Sequence, residues 1–262
     1  MQNLKGLSQI AHEYDGVLFD IFGVIHNGVT CFEGAVEALA GLQAAGIPYV
    51  FLSNMPLRAA RVPESLMRRG VPAALVGQAL TSGEMMFQAL SGGGFGKTYV
   101  FQGPDSTREI VPAGYTEVPV AEADFVLVSG IGDEEGPEDY AELLRSAGAR
   151  ALPMLCANPD LRVGHGDSMV SCAGLLVDAY ARMGGDARWM GKPHQAVFEK
   201  AKTMLGGRLL MIGDSLRTDI AGAQSAGLDT VFVQNGIHAG ASETLFTEHQ
   251  ITPTYTLPHL CW

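Results

Sequence analysis

Charged residues are scarce in the 262-residue chain, and bases are the scarcer kind. Charged side chains make up 17% of the sequence, and 28 Asp and Glu against 17 Lys and Arg give a formal net charge of −11. A negative protein is poorly suited to binding that depends on neutralising many phosphates. We therefore predict no nucleic-acid partner, although a local pocket can still hold one small phosphate ester.

Cysteine is also scarce, and its four positions form no motif. Cys31, Cys156, Cys172 and Cys261 include no CxxC pair, which argues against a zinc site or a disulfide scaffold. Residues 1–15 lack the apolar core of a signal peptide. No stretch approaches the ~18 uninterrupted apolar residues of a transmembrane helix. We expect a cytoplasmic protein with no membrane partner.

Short apolar strands alternate with helical patterns at both ends of the chain. Residues 16–22 and 47–52 are apolar runs, and residues 34–45 between them carry apolar side chains at helical spacing. The same alternation returns over residues 196–233. A succession of strand, helix and strand predicts right-handed parallel crossovers and hence an α/β sheet.

The middle of the chain has strand and helix patterns of its own. Strand patterns occupy 99–102, 125–129 and 151–156, and helical patterns occupy 137–146 and 173–182. We predict a core made of residues 1–75 and 185–262, interrupted by an inserted α/β domain over residues 76–184.

Polar residues follow the predicted core strands at the edge where open parallel sheets bind ligands. Singly, each is more often a cap or an exposed side chain, so the prediction rests on the ordered set. Convergent buried carboxylates repel one another, and Mg²⁺ would relieve that repulsion while also binding phosphate oxygens. A carboxylate at the first strand end could also act as a nucleophile. The set comprises Asp20, Ser53-Asn54, Lys192, and Asp214 with Asp219.

This ordered set resembles the haloacid dehalogenase (HAD) superfamily, and most closely its class IIA branch of para-nitrophenylphosphatase- and sugar-phosphatase-like proteins. The resemblance covers essentially the whole chain. The four motif-like segments are Asp20-Ile21-Phe22-Gly23-Val24, Phe51-Leu52-Ser53-Asn54, Gly191-Lys192-Pro193, and Gly213-Asp214 through Thr218-Asp219. Further similarities are Asn27-Gly28, Thr81-Ser82-Gly83 and Ala157-Asn158-Pro159-Asp160.

The resemblance implies a Rossmann-like core with a parallel sheet and an inserted α/β cap domain of the C2 type. It implies a Mg²⁺-dependent phosphatase that acts on a small phosphorylated metabolite through an aspartyl-phosphate. A homodimer is compatible with it. The residue roles it implies are Asp20 as nucleophile, Lys192 as neutralising cation, Ser53 and Asn54 as phosphoryl ligands, and Asp20, the Phe22 carbonyl, Asp214 and Asp219 as the Mg²⁺ site.

Phe22 is the departure from the family pattern, which has a second Asp at this position as general acid and base. A positioned acid-base group is worth about 10² to 10⁴-fold in rate, and a phenyl ring has no proton to give. His26 is the nearest replacement in sequence, with a packing role as the alternative. Two other functions stay open: a phosphate-binding protein with weak turnover, and an enzyme that cleaves a bond other than a phosphate ester.

Further polar residues are weaker candidates. Arg58 and Arg61 follow the second motif and could bind a substrate anion, although a solvated helix face is the alternative. Phe22 and Arg58 complete the predicted substrate-binding set. A polar segment of the cap could also face the core, with an orientation that the sequence does not predict. It contains Asp160, Arg162, His165 and Asp167.

Overall fold

A computed structural model of the chain describes residues 1–165, 168–235, 246 and 248–262. Asp167 lies outside the described residues, and so does the side chain of His165. The strands are β1 (Gln2–Asn3), β2 (Gly16–Phe19), β3 (Tyr49–Ser53), β4 (Gln78–Thr81), β5 (Thr98–Gln102), β6 (Thr116–Glu117), β7 (Phe125–Val128), β8 (Met154–Cys156), β9 (Arg162–His165), β10 (Ser168–Ser171), β11 (Ala187–Trp189), β12 (Leu209–Gly213), β13 (Asp229–Val233) and β14 (Tyr255–Leu257).

Seven α-helices with both ends inside the described ranges connect and cover these strands. They are α1 (Glu33–Ala44), α2 (Val62–Arg68), α3 (Ser82–Ser91), α4 (Ala141–Ala149), α5 (Ala173–Arg182), α6 (Gln195–Leu205) and α7 (Ala221–Ser225). A π-helical turn over Leu216–Ile220 precedes α7. None of the helices in the described ranges has both the length and the apolar composition needed to cross a bilayer.

The larger sheet is parallel and has the strand order β1-β14-β13-β12-β2-β3-β4. Successive residues of a strand point to opposite faces, and both faces of this sheet carry an apolar cluster. Phe19 and Phe51 pack on one face with Leu39 of α1. Leu18 packs on the other face with Phe198 of α6. Burial on both faces explains why these strands read as nearly continuous apolar runs.

The smaller sheet is also parallel, in the order β11-β8-β7-β5-β6, and it too has an apolar cluster on each face. An antiparallel hairpin of β9 and β10 lies between β8 and α5 in the chain. The fold class predicted from the sequence, an α/β protein with parallel sheets, is confirmed.

Strand pairing corrects both predicted domain boundaries. β4 pairs with β3, so the core sheet extends to Thr81 rather than ending near residue 75. β11 pairs with β8, so Ala187–Trp189 belong to the cap sheet although they fall in the predicted core. Both strands are short and only partly apolar, so neither produced a strand pattern in the sequence.

Candidate active site

Three neighbouring strands bring the predicted site residues together. β12, β2 and β3 are adjacent and parallel, so their carboxyl ends meet at one edge of the sheet. Asp20 directly follows β2, Ser53 ends β3, and Asp214 directly follows β12. The backbone amide of Asp20 donates to the carbonyl of Ile212 at 2.9 Å, which fixes the first loop against the fourth motif.

Lys192 is a buried cation between two carboxylates. Its Nζ lies 2.7 Å from Asp20 Oδ1 and 2.7 Å from Asp219 Oδ1, and its side chain is 2% exposed. Burial alone would lower the pKa of Lys192, but the two carboxylates outweigh burial and raise it. The ammonium therefore stays charged, and it neutralises part of the acidic cluster around it.

One ammonium does not balance the carboxylates gathered here. Asp20, Asp214 and Asp219 are all buried, and each offers an oxygen within 4.8 Å of the others'. Burial and the Asp219 charge raise the pKa of Asp20 against the opposing pull of Lys192. Buried negative charge in excess is expensive unless a further cation compensates it.

The donor set fits a hard divalent cation such as Mg²⁺, because every available atom is an oxygen. Asp20 and Asp214 have carboxylates at the edge of the cavity described below. Asp219 is already engaged: Lys192 binds its Oδ1, and the amides of Asp214 and Ser215 donate to its Oδ2 at 3.2 and 3.1 Å. We infer that Asp219 orients the site, while Asp20 and Asp214 are the better-placed ligands.

A glycine permits this close packing of the first and fourth motifs. Gly23 has a φ of +82°, and a Cβ on it would lie 2.0 Å from Asp214 Oδ2. Any side chain here would strain the backbone and displace the carboxylate. Gly23 is thus required by the packing of the site and not only by the turn.

Ser53 and Asn54 lie at the carboxyl end of β3, where Asn54 contacts the backbone of Lys192. Ser53 Oγ accepts from the amide of Met55 at 3.2 Å, and both residues are buried at the edge of the cavity. Asn54 Nδ2 donates to the carbonyl of Lys192 at 2.9 Å, and Asn54 Oδ1 accepts from the Lys192 amide at 2.8 Å. Asn54 therefore fixes the backbone that carries the lysine.

The site opens into a cavity of about 690 Å³ between the core and the cap. Its floor holds Asp20, Lys192 and Asp214, and the cap hairpin contributes to its wall. Much of the wall is apolar, which favours a ligand with an apolar portion beside its charged group. The apolar lining residues are Phe22, Phe32, Leu161, Val163, Met169 and Leu175.

Two contacts join the cap to the core at this cavity. Asn54 Nδ2 donates to Asp160 Oδ1 at 2.9 Å, and Arg217 Nη2 donates to the carbonyl of Pro159 at 2.7 Å. The segment after β8 thus faces the core, an orientation that the sequence left open. Arg162 also lines the cavity and is exposed. The sequence did not predict this contact of Arg217, because the residue lies within the fourth motif at a position outside the motif's pattern.

Phe22 and His26 pack against each other. Phe22 lines the cavity, and the two rings meet edge to face with centroids 5.5 Å apart. His26 is buried, its Nδ1 accepts from the Gly28 amide at 3.0 Å, and its Nε2 has no hydrogen-bond partner among the described residues. His26 is not among the cavity-lining residues. Its predicted catalytic role stays a prediction, which this placement behind Phe22 does not favour.

The structure does not bring Arg58 to the cavity, contrary to its predicted substrate-binding role. Its guanidinium forms an ion pair with Glu84 at 2.7 Å and lies over the Phe87 ring, 3.4 Å from the centroid. Arg61 pairs with Glu109 at 2.9 Å. Both arginines form ion pairs with carboxylates distant in sequence, and these ion pairs hold the two guanidinium groups away from the cavity.

Comparisons with known proteins agree with this geometry. Residues 17–116 match the family Haloacid dehalogenase-like hydrolase, and residues 189–262 match the family HAD-hydrolase-like. The chain is 27% identical to 5'-nucleotidase YutF of Bacillus subtilis, over 94% of this chain and 96% of that protein. It is 23% identical to acid sugar phosphatase of Staphylococcus aureus, over 95% and 96%. A solved hydrolase of the haloacid dehalogenase-like family from Brucella suis 1330 superposes with a TM-score of 0.88 at 32% identity, covering 98% and 99%.

A parallel core sheet with acids at its strand ends, covered by an inserted domain, defines a capped α/β hydrolase. The chain belongs to the haloacid dehalogenase-like hydrolase family. The haloacid dehalogenase family predicted from the motifs is thus confirmed. Structural neighbours named as a possible sugar phosphatase and a p-nitrophenyl phosphatase share its fold.

Replacing Lys192 by Met should destabilise the metal-free protein. Methionine keeps the length of the side chain but leaves Asp20 and Asp219 buried without their cation. Breaking a buried pair in this way typically costs about 3 to 5 kcal/mol. We expect that loss in the free energy of unfolding by urea at pH 7 in EDTA. Lys200→Met, on the exposed face of α6, is the control, and an equal effect of the two would contradict this account.

His26 should titrate far below an ordinary histidine. Burial and the charge of Arg69 lower its pKa to about 4. A depressed histidine pKa contributes stability that is present above the unfolded value near 6.5 and is lost as pH falls toward 4. Relative to His26→Asn, which keeps an acceptor for the Gly28 amide, the wild type should lose about 3 kcal/mol over that window. An imidazole NMR titration with a midpoint near 6.5 would refute the assignment.

Proposed function

We propose that the protein is a Mg²⁺-dependent phosphatase that hydrolyses a small phosphate ester through an aspartyl-phosphate. The observation that carries the proposal is the placement of Asp20, whose carboxylate lies at the floor of the cavity and 2.7 Å from the buried Lys192 ammonium. A nucleophilic carboxylate needs such a neighbour, because the phosphoryl group it attacks is itself negative.

The residues of the chain divide the work of the proposed reaction. Asp20 attacks phosphorus, and Lys192 neutralises charge on the phosphoryl oxygens. The Ser53 hydroxyl and the backbone amide of Asn54 bind those oxygens and hold the group in line. Mg²⁺, held by Asp20, the Phe22 carbonyl and Asp214 with Asp219 behind them, would supply further charge neutralisation when bound. The cap excludes water from the cavity.

The names of relatives support a phosphate ester as substrate. One relative is named a 5'-nucleotidase and another an acid sugar phosphatase. The apolar wall of the cavity, with Phe22 and Met169, suits a phosphorylated metabolite with an apolar part. All four cysteines are free thiols, which agrees with the cytoplasmic location we propose.

A second candidate function follows from Phe22, which lines the cavity where the family has an acid. Without a proton donor, esters with poor leaving groups would be bound but turned over slowly. The protein would then act by binding a phosphorylated ligand, or it would cleave a bond whose departing group needs no proton.

Removing the nucleophile should abolish hydrolysis. We expect wild type to release phosphate from para-nitrophenyl phosphate only with Mg²⁺ present, and Asp20→Asn to lose at least about 10³-fold in kcat, because the covalent step has no nucleophile. Glu37→Gln, an exposed carboxylate on α1, is the matched control. Turnover by Asp20→Asn at the wild-type rate would overturn the proposal.

Replacing Phe22 by Asp decides between the two candidate functions. A gain above tenfold across a phosphate-ester panel means that the missing acid limits turnover, as a positioned acid is worth about 10² to 10⁴-fold. No gain with robust wild-type activity means that another residue supplies the proton. If neither protein turns over but inorganic phosphate with Mg²⁺ raises the Tm of the wild type, the binding function is correct.

A further inference from the structure

The carboxyl groups that line the cavity include one without a role so far. Asp20, Asp160 and Asp214 all line it. Asp20 is the proposed nucleophile and Asp214 a proposed metal ligand. Building on the proposed function, we propose that Asp160 of the cap is the general acid and base that replaces the missing acid at Phe22.

Asp160 is held firmly and from several directions. Its Oδ1 accepts from Asn54 Nδ2 at 2.9 Å, and Asn54 is itself bound twice to the backbone of Lys192. The carbonyl of Asp160 accepts from the Gly174 amide at 3.1 Å, and a Cβ on Gly174 would lie 2.3 Å from that oxygen. The N-terminus of α5 thus packs closely on the Asp160 backbone, and the carboxyl group is positioned before any ligand arrives.

The other carboxylate oxygen of Asp160 is available to a ligand. Oδ1 is the oxygen bound to Asn54, and Oδ2 makes no hydrogen bond within the described ranges of the chain. A carboxyl group that lines the cavity and keeps one oxygen without a hydrogen bond to the described residues can give a proton to a bound ligand and later recover one. Phe22 and the buried His26 offer no comparable group to the cavity.

The surroundings of Asp160 favour a carboxyl group that exchanges a proton. Burial raises its pKa, while Lys192 and the hydrogen bond from Asn54 oppose that rise. The titratable and charged groups that face it are Lys192, Asp219, Arg217, Asp20, Cys156 and Cys172. Carboxyl groups with raised pKa values are the ones that serve as general acids near neutral pH.

The direction of attack places the leaving oxygen on the side of the cap. Asp20 approaches phosphorus from the core strand end, and the attacking and leaving oxygens of a phosphoryl transfer lie roughly in line. The leaving group therefore points away from β2. Asp160 belongs to the segment after β8 in the cap, and it lines the cavity where this segment meets Asn54 of the core.

The proposed steps balance in atoms and charge. Asp20 forms a bond to phosphorus as the ester P–O bond breaks, and the electron pair passes to the leaving oxygen, which takes the proton of Asp160. Water then attacks the phosphorus of the aspartyl-phosphate and gives its proton to the Asp160 carboxylate. The Asp20 carboxylate leaves, inorganic phosphate is released, and Asp160 is again protonated.

Leaving-group dependence tests the proposal, with para-nitrophenyl phosphate and benzyl phosphate as a matched pair of ring-bearing esters. The nitrophenolate leaves without help, whereas the benzyl alkoxide needs a proton. In Asp160→Asn, which keeps an acceptor for Asn54, kcat for benzyl phosphate should fall about 10² to 10⁴-fold, and kcat for para-nitrophenyl phosphate by less than about fivefold. The retained activity also shows that the variant folds.

Two controls separate this role from others. Asp178→Asn, a cap carboxylate paired with Arg182 on α5, should leave both substrates unchanged. His249→Gln tests a further titratable side chain, because His249 lines the cavity from an exposed position. A loss confined to benzyl phosphate is expected for Asp160→Asn and not for this variant. A selective loss of benzyl phosphate turnover in His249→Gln would assign the proton to that histidine and overturn the proposal. Adding Phe22→Asp to Asp160→Asn should restore benzyl phosphate turnover.

The remaining outcomes distinguish this inference from the function on which it rests. An equal loss on both substrates in Asp160→Asn, or no loss on either, overturns the catalytic role of Asp160 but leaves a phosphatase. A wild type that hydrolyses para-nitrophenyl phosphate but not benzyl phosphate also overturns the role of Asp160 and leaves a phosphatase, because it shows that no general acid operates. A wild type inactive on both overturns the proposed function itself.

Discussion

The buried Lys192 ammonium between Asp20 and Asp219 is the interaction on which the rest of the site depends. It joins three segments that are distant in sequence: the loop after β2, the turn after β12 and the segment that returns from the cap. Each carboxylate would be costly to bury alone, and the lysine would be as well. Because one positive charge faces Asp20, Asp214 and Asp219, the cluster retains an excess of negative charge. That excess makes the site attractive to a divalent cation and, with the cation present, to a phosphate.

The cap completes the site by contacts that fall on the same few residues. Asn54 is hydrogen bonded to the backbone of Lys192 and to Asp160 of the cap, so one amide side chain links the lysine, the second motif and the inserted domain. Arg217 adds a second link through the carbonyl of Pro159. The floor of the cavity is therefore polar and comes from the core, whereas the cap contributes much of its apolar wall. In the proposed reaction the core supplies the nucleophile and the phosphoryl ligands, and the cap supplies the proposed acid Asp160.

Phe22 changes what the site requires of its other residues. A phenyl ring adds apolar wall where the family has an acid, and it covers His26 rather than leaving that imidazole open to the cavity. The proton donor must then come from elsewhere, or the leaving group must not need one. The overall acidity of the chain bears little on this, since the question concerns a single carboxyl group and where it points.

Sequence patterns predicted the core strands and the grouping of Asp20, Ser53 and Asp214, because buried parallel strands are apolar runs and their carboxyl ends meet at one edge. Lys192 was grouped with them as a strand-end residue, but it follows β11 of the cap sheet and reaches the site through the fold. Both domain boundaries were misplaced, since β4 and β11 are short strands whose identity comes from pairing with β3 and β8. The hairpin of β9 and β10 also escaped prediction, as its residues are partly exposed and show no apolar alternation. The folded chain alone shows that Glu84 binds Arg58, that Phe22 packs against His26 and that Asp160 contacts the core. Those positions depend on partners far away along the chain, and local sequence carries no signal of them.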